Sequence, residues 1–323
     1  MSKVIICIHG IGNKPTPKLL TGWWRKSIVD GLNGMGKFIF KPGIRMIYWA
    51  DVLHDRPLDE RITDPDNPYY LSESYTPPVN NLFGARQTLK NKFFNLIEQE
   101  IDKILLNEDM SVNFSFIHDL IIHKYFKELE IYYSGDLVDK NGIRQPAKKI
   151  IREKAAAVLR KHKSDQILLI AHSMGSIIAY DVLSSMAQGI KIDTFITIGS
   201  PLGFPVVKSK TAAEQHIKNN AAKKLKTPEC ITGSWYNFSD YEDKIAMHHN
   251  LAEDFEANSL GIKPVDIAVK NSYEINGNRN PHKSYGYLRV PELSEALYSF
   301  LIKDKSKLAV KFLEAANFVY SKI

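Results

Sequence analysis

The sequence predicts an α/β fold: a mostly parallel central sheet with helices on both faces, plus a largely helical cap inserted into it. Two observations carry this expectation. Short apolar, β-branched runs alternate with stretches of helical spacing in the first 50 residues and again after residue 146. That order of strands and helices is the one that builds a parallel sheet covered on both sides. Between those two parts, from about 51 to 145, the alternation stops and a different pattern takes over.

Taken in order, Val4 to Ile8 reads as a buried strand, and "HGIGNKPTP" after it as a loop by its glycines and prolines. Leu19 to Leu32 has helical spacing, and Ile44 to Trp49 reads as a second strand. From Asp55 to Val79 the chain is rich in proline, aspartate and tyrosine. From Asn81 to Tyr133 it turns helical, with Phe93, Leu96, Ile97, Ile101, Ile104 and Leu105 on one face. Ala147 to Lys161 is the next helix, with Pro146 suited to its first turn. Ile167 to Ala171 is a strand, Ser176 to Ala187 a helix ended by Gly189, and Phe195 to Ile198 a strand. "GSPLGFP" reads as a loop, Ser234 to Phe238 as a short strand, and "VDIAVKNSYEI" as a further strand candidate. Pro291 to Ile302 and Lys307 to Tyr320 read as helices. The expectation is one domain over 1–323, with the cap at about 51–145 and a C-terminal helix at about 305–323.

Composition sets the outer bounds. The chain has 323 residues, 44% of them hydrophobic and 24% charged, enough for one large core. No apolar run approaches the roughly 18 residues of a membrane-spanning helix. "VIICIHG" is too short for a signal peptide and reads as a strand. Two cysteines, Cys7 and Cys230, suit reduced thiols and a cytoplasmic setting. The net charge of +7, with lysines dense between Lys208 and Lys226, reads first as a solvated surface and second as an attraction to anionic membrane surfaces. No nucleic-acid motif accompanies it. The histidines lack zinc-site spacing, and "GIGN" lacks the full dinucleotide fingerprint, so no metal and no cofactor are expected.

The chemistry concentrates in "QILLIAHSMGSIIAYDVL". A serine between small neighbours, after an apolar strand and before a helix, fits the nucleophile elbow G-x-S-x-G, with Ala171 in place of the first glycine. The sharp turn pushes Ser173 into the crevice above the strand ends, at a helix N-terminus that favours developing negative charge. The plain alternative is an N-cap serine. An oxyanion needs donors. The Met174 amide is one candidate, and "IHGIGN" offers the other through Ile11 or, close behind, Gly10, with Gly12 adding backbone freedom. The serine also needs a base held by an acid, in the chain order serine, acid, histidine. His216, His248, His249 and His282 follow Ser173. His282, in the glycine- and asparagine-rich "NGNRNPHKSYGYL", is the one that a late loop can carry over the sheet edge. Asp240, Glu242 and Asp243 in "SWYNFSDYEDKIA" are the candidate acids.

These motifs together resemble the α/β-hydrolases of the lipase and esterase superfamily: "IHGIGN", "AHSMGS", "TIGSPLGFP", "WYNFSDYEDKIA" and "NPHKSYGYL" occur in that order. The resemblance covers about residues 1–50 and 146–300. Small bacterial lipases also carry an "AHSMG" elbow. The resemblance implies an α/β-hydrolase fold and a serine hydrolase acting on a carboxylic ester, small-molecule or lipid, with Ser173, Asp243 and His282 as triad. Met174 and Ile11 would form the oxyanion hole, with His9, Gly10, His172 and Gly175 supporting it. Asp243 before "KIA" is similar to the Asp-Pro-Val ending of the acid strand in lipases and is preferred to Asp240; the proline is missing here. The same serine could serve an amidase, thioesterase or acyltransferase, and some members of the superfamily are silent scaffolds. In the cap, Phe83, Phe93, Phe94, Phe114, Phe116, Tyr125, Phe126, Tyr132 and Tyr133 would pack it onto the body, a few of them lining an acyl pocket.

Overall fold

The computed structural model describes residues 1–37, 39, 42–78, 120–138, 142–215, 224–246, 249–275 and 277–306. The elements run β1 (Lys3–Ile8), α1 (Pro17–Gly34), β2 (Ile44–Ile47), α2 (Ala50–Leu53), α3 (Leu120–Ser134), β3 (Asp136–Val138), β4 (Arg144–Pro146), α4 (Ala147–Lys161), β5 (Gln166–His172) and α5 (Met174–Ser185). Then follow β6 (Ile192–Ile198), α6 (Pro205–Glu214), β7 (Leu225–Lys226), β8 (Ile231–Ser239), α7 (Leu251–Asp254), β9 (Phe255–Glu256), β10 (Pro264–Ala268), β11 (Glu274–Ile275), β12 (Asn278–Arg279), α8 (Ser284–Tyr287) and α9 (Pro291–Ile302).

Six strands form one parallel sheet in the order β10-β8-β6-β5-β1-β2. Successive side chains of a strand point to opposite faces, and here both faces are buried. Ile6 and Ile8 of β1, with Leu169 and Ala171 of β5, join a core with α4 and α5 on one side. Ile5 and Cys7, with Leu168 and Ile170, join a second core with α1 and α9 on the other. This is why the central strands read as unbroken apolar runs rather than alternating ones. α1 starts where Pro17 supplies a preset φ and the Thr16 hydroxyl caps the Leu19 amide. It buries Leu20, Trp23, Trp24, Ile28 and Leu32.

Several bounds differ from expectation for local reasons. β2 ends at Ile47, and Trp49 turns inward instead of extending the strand, its indole N–H donating to the carbonyl of His9 at 2.8 Å. α5 begins at Met174, directly after Ser173, two residues earlier than the apolar spacing suggested. Pro146 stands at the N-cap of α4, not in its first turn. Pro205, read as loop, opens α6. The β3–β4 hairpin and the small β7–β9 pair were not anticipated. The cap aromatics from Phe83 to Phe116, the side chains of Tyr125 and Phe126, and the helix expected from Lys307 to Tyr320 lie outside the described residues.

α3 is tied to the body by polar as well as apolar contacts. Tyr132 is fully buried, and its hydroxyl donates to Oδ2 of Asp181 on α5 at 2.6 Å. Lys148 of α4 reaches the same oxygen at 2.8 Å. Replacing Tyr132 by Phe removes one of two donors to a buried carboxylate, so urea unfolding should show a loss of about 1–3 kcal/mol. An unchanged midpoint would mean that this contact does not anchor α3.

Candidate active site

The strand order reverses between β1 and β5: chain growth leads outward to β2 on one side and to β6, β8 and β10 on the other. A crevice opens at the carboxyl ends of strands at such a switch point. The residues after β1 (His9 to Asn13) and after β5 (Ser173) meet there.

Ser173 has φ 53° and ψ −131°, a conformation that non-glycine residues seldom adopt. Its side chain makes no capping bond to α5, so the plain N-cap role is excluded. Its amide donates to the Ile198 carbonyl at the end of β6 at 3.1 Å. Gly175 lets the first turn of α5 close onto β1: a Cβ there would lie 2.5 Å from the His9 carbonyl oxygen. Gly10 is as tightly placed, since its Cβ would lie 2.8 Å from that of Ser173.

Ser173, His282 and Asp243 form one hydrogen-bonded chain. The Ser173 hydroxyl is 2.9 Å from Nε2 of His282. Nδ1 of His282 is 2.9 Å from each oxygen of Asp243. With Nδ1–H donating to the carboxylate, Nε2 is left to accept from the serine. Asp243 is fully buried and Ser173 nearly so. The Ile245 amide donates to Oδ1 of Asp243 at 2.9 Å, and the Tyr287 hydroxyl to Oδ2 at 2.7 Å.

Asp240 is turned elsewhere. Its Oδ2 accepts from the Asn271 amide at 2.6 Å and from Arg279 at 2.7 Å, and its Oδ1 from the Glu242 amide at 2.9 Å. Burial nonetheless raises the Asp240 carboxyl above the usual range. Glu242 is exposed and pairs with Arg279. His249 packs its ring on Tyr241, 4.6 Å between centroids. His216 and His248 lie outside the described residues.

The supporting residues have identifiable tasks. Nε2–H of His172 donates to the carbonyl of His282 at 2.8 Å, and the two rings sit 4.8 Å apart. Nδ1–H of His9 donates to the Gly10 carbonyl at 2.8 Å, while its Nε2 accepts from the Trp49 amide at 3.1 Å. Met174 is the first residue of α5, so its amide has no carbonyl one turn back to bond. The Gly12 amide donates to Glu128 at 2.7 Å.

The sequence reading missed Tyr287, Gly199 and Glu128. Tyr287 is fully buried, and burial followed by the charge of Asp243 pushes its phenol well above 10, so it remains a donor. Gly199 has φ 53°, and a Cβ there would lie 2.9 Å from Asp243 and 3.2 Å from His282. "TIGSP" held that signal, a glycine at the end of a strand beside the crevice. A cavity of about 660 Å³ lies elsewhere, between α1 and residues 56–69; none of the three chained side chains lines it. Among the described residues no cluster of three metal-binding side chains occurs, and no helix is long and apolar enough to cross a membrane.

A parallel sheet with helices on both faces and a strained serine turn at its switch point defines an α/β domain. Residues 95–246 match the family model described as "PGAP1-like alpha/beta domain", a family of the α/β-hydrolase superfamily with serine hydrolase-like members. The matched stretch contains Ser173, Asp240 and Asp243; the loop after β1 and His282 fall outside it. No curated protein and no solved structure matches the chain.

Burial lowers both His9 and His172 well below 6.5, helped by Lys14 for His9 and by His282 for His172. An unfolded histidine titrates near 6.5, so the unfolded chain binds protons first as pH falls. Stability is therefore lost from about pH 6.5 downward, toward the lower folded values. The raised carboxyls of Asp181, Asp240 and Asp266 work in the opposite sense, since there the folded state binds protons first. His9→Gln keeps a neutral donor and acceptor. Urea unfolding between pH 7.5 and 5 should show a shallower loss for this variant, by at most about 1.4 kcal/mol per pH unit. Coincident profiles would contradict a neutral buried His9.

Proposed function

We propose that the protein is a serine hydrolase that cleaves a carboxylic ester through an acyl-enzyme. The observation that carries this reading is the chain from Ser173 Oγ to His282 Nε2 and from His282 Nδ1 to Asp243, each hydrogen bond 2.9 Å long. His282 takes the Ser173 proton as Oγ bonds to the ester carbonyl carbon. The oxyanion rests on the amides of Met174 and Ile11. When the tetrahedral intermediate collapses, His282 gives its proton to the leaving alcohol, and water then releases the acid by the same route. Asp243 holds the imidazole tautomer and steadies the cation. Tyr287 and the Ile245 amide fix Asp243 in turn.

The domain reading belongs to the same proposal: one α/β domain over 1–323, with a cap at about 51–145 contributing to the acyl side of the pocket and a helix at about 305–323. A small or lipid ester is the substrate class, with peripheral contact to anionic membranes through the lysine-rich surface. Two free cysteines, Cys7 buried and Cys230 partly so, suit a cytoplasmic setting.

Release of p-nitrophenol from esters of graded chain length tests the reaction. Ser173→Ala should lower turnover by at least about 10³-fold and abolish fluorophosphonate labelling. Asp243→Asn should cost roughly 10³- to 10⁴-fold by the same template, Asp240→Asn far less. A wild-type protein that neither turns over nor labels would instead be a ligand-binding scaffold. Faster cleavage of thioesters or amides would redirect the substrate class.

A further inference from the structure

The peptide linking Ile11 to Gly12 is held at both ends by charged side chains. Its N–H, that of Gly12, donates to Oε2 of Glu128 at 2.7 Å, across 116 residues of sequence. Its carbonyl, that of Ile11, accepts from the Lys14 ammonium, which also reaches the Gly12 carbonyl at 3.1 Å. Glu128 lies on α3 and is 6% exposed. Its other oxygen is 3.7 Å from Nε2 of His54. Burial raises the Glu128 carboxyl, but His54, the Gly12 amide and Lys14 outweigh it, and the group stays below the usual range and ionised.

Holding one peptide plane constrains the next. The Ile11 amide is joined to the clamped plane through a single Cα, so fixing that plane restricts the direction in which the Ile11 N–H points. Gly12 has φ 83°, a left-handed conformation that glycine adopts without strain, and its N–H faces Glu128. The Gly12 amide is thereby committed to Glu128, leaving the amides of Gly10 and Ile11 for the reaction.

We propose that Glu128, acting with Lys14, is a positioning residue for the oxyanion loop. The inference rests on the acyl-enzyme reading above. A donor aimed at the developing oxyanion is worth roughly 10²- to 10³-fold in kcat. Loosening its support while leaving the donor present should cost part of that.

The test compares wild type with Glu128→Ala and Glu128→Gln, with kcat expressed per serine labelled by fluorophosphonate. Glu128→Ala should lower kcat by about 10- to 100-fold with KM nearly unchanged. An alkyl trifluoromethyl ketone, whose adduct places an oxyanion on the loop, should bind more weakly by a similar factor. Glu128→Gln keeps an acceptor for the Gly12 amide and should recover most of the rate, which a merely destabilising change would not predict. Independently of activity, the Gly12 amide should exchange with deuterium at least about tenfold faster in Glu128→Ala than in wild type. Wild-type kcat per labelled serine and unchanged ketone affinity in Glu128→Ala would overturn the clamp and leave the acyl-enzyme reading standing. A wild-type protein that takes no label and releases no alcohol would overturn both.

Discussion

The end of β1 passes so close beneath the first turn of α5 that no side chain fits between them. Gly175 answers this on the helix side, where a Cβ would lie 2.5 Å from the His9 carbonyl oxygen, and Gly10 answers it on the loop side. The contact follows from strand order, because β1 and β5 are parallel hydrogen-bonded neighbours whose following helices pack on opposite faces of the sheet. With β1 below and the Ile198 carbonyl beside it, Ser173 is held at φ 53° without freedom to relax into a helix cap. The strain is local, of order 1–3 kcal/mol, and is carried by the large cores on both sides of the sheet.

Around that turn the protein buries polar groups in matched pairs. His9 and His172 are each neutral, with one ring nitrogen donating to a carbonyl, so neither brings an uncompensated charge into the core. Asp243 is ringed by three donors: His282, Tyr287 and the Ile245 amide. Tyr287 also accepts from the Asp240 amide at 2.9 Å, which ties the loop after β8 to the segment that carries His282. Asn271 reinforces that segment by donating to the Pro281 and Lys283 carbonyls at 2.7 and 2.8 Å, on either side of His282. The imidazole is thus fixed through its backbone as well as its ring.

Much of the sheet is legible along the chain, because a strand buried on both faces has a continuous apolar signature and a helix after it has its own period. The bounds of α4 and α9 follow from their proline starts and apolar spacing. The region from 51 to 145 is harder to read. Apart from α3, its described parts are short elements such as α2 and the β3–β4 hairpin, whose form depends on contacts with the body rather than on periodicity. Asp240 and Asp243 show the same limit within the site. They are three residues apart on one loop, and in the sequence only the likeness of "DKIA" to the acid-strand ending of lipases, without its proline, favours Asp243. Arg279 and the Asn271 amide take Asp240 away from it, and neither partner is near in sequence.

The parallel α/β sheet, the strand–serine–helix turn at Ser173 and the glycine loop after β1 are readable along the chain, because each is written in neighbouring residues. Folding is what brings Asp243 rather than Asp240 to His282, sets Tyr287 and Gly199 beside it, and lets Glu128 hold the Ile11–Gly12 peptide. Those contacts join residues from 39 to 116 positions apart, and it is the packing of separate elements, not local spacing, that brings such groups within hydrogen-bonding reach.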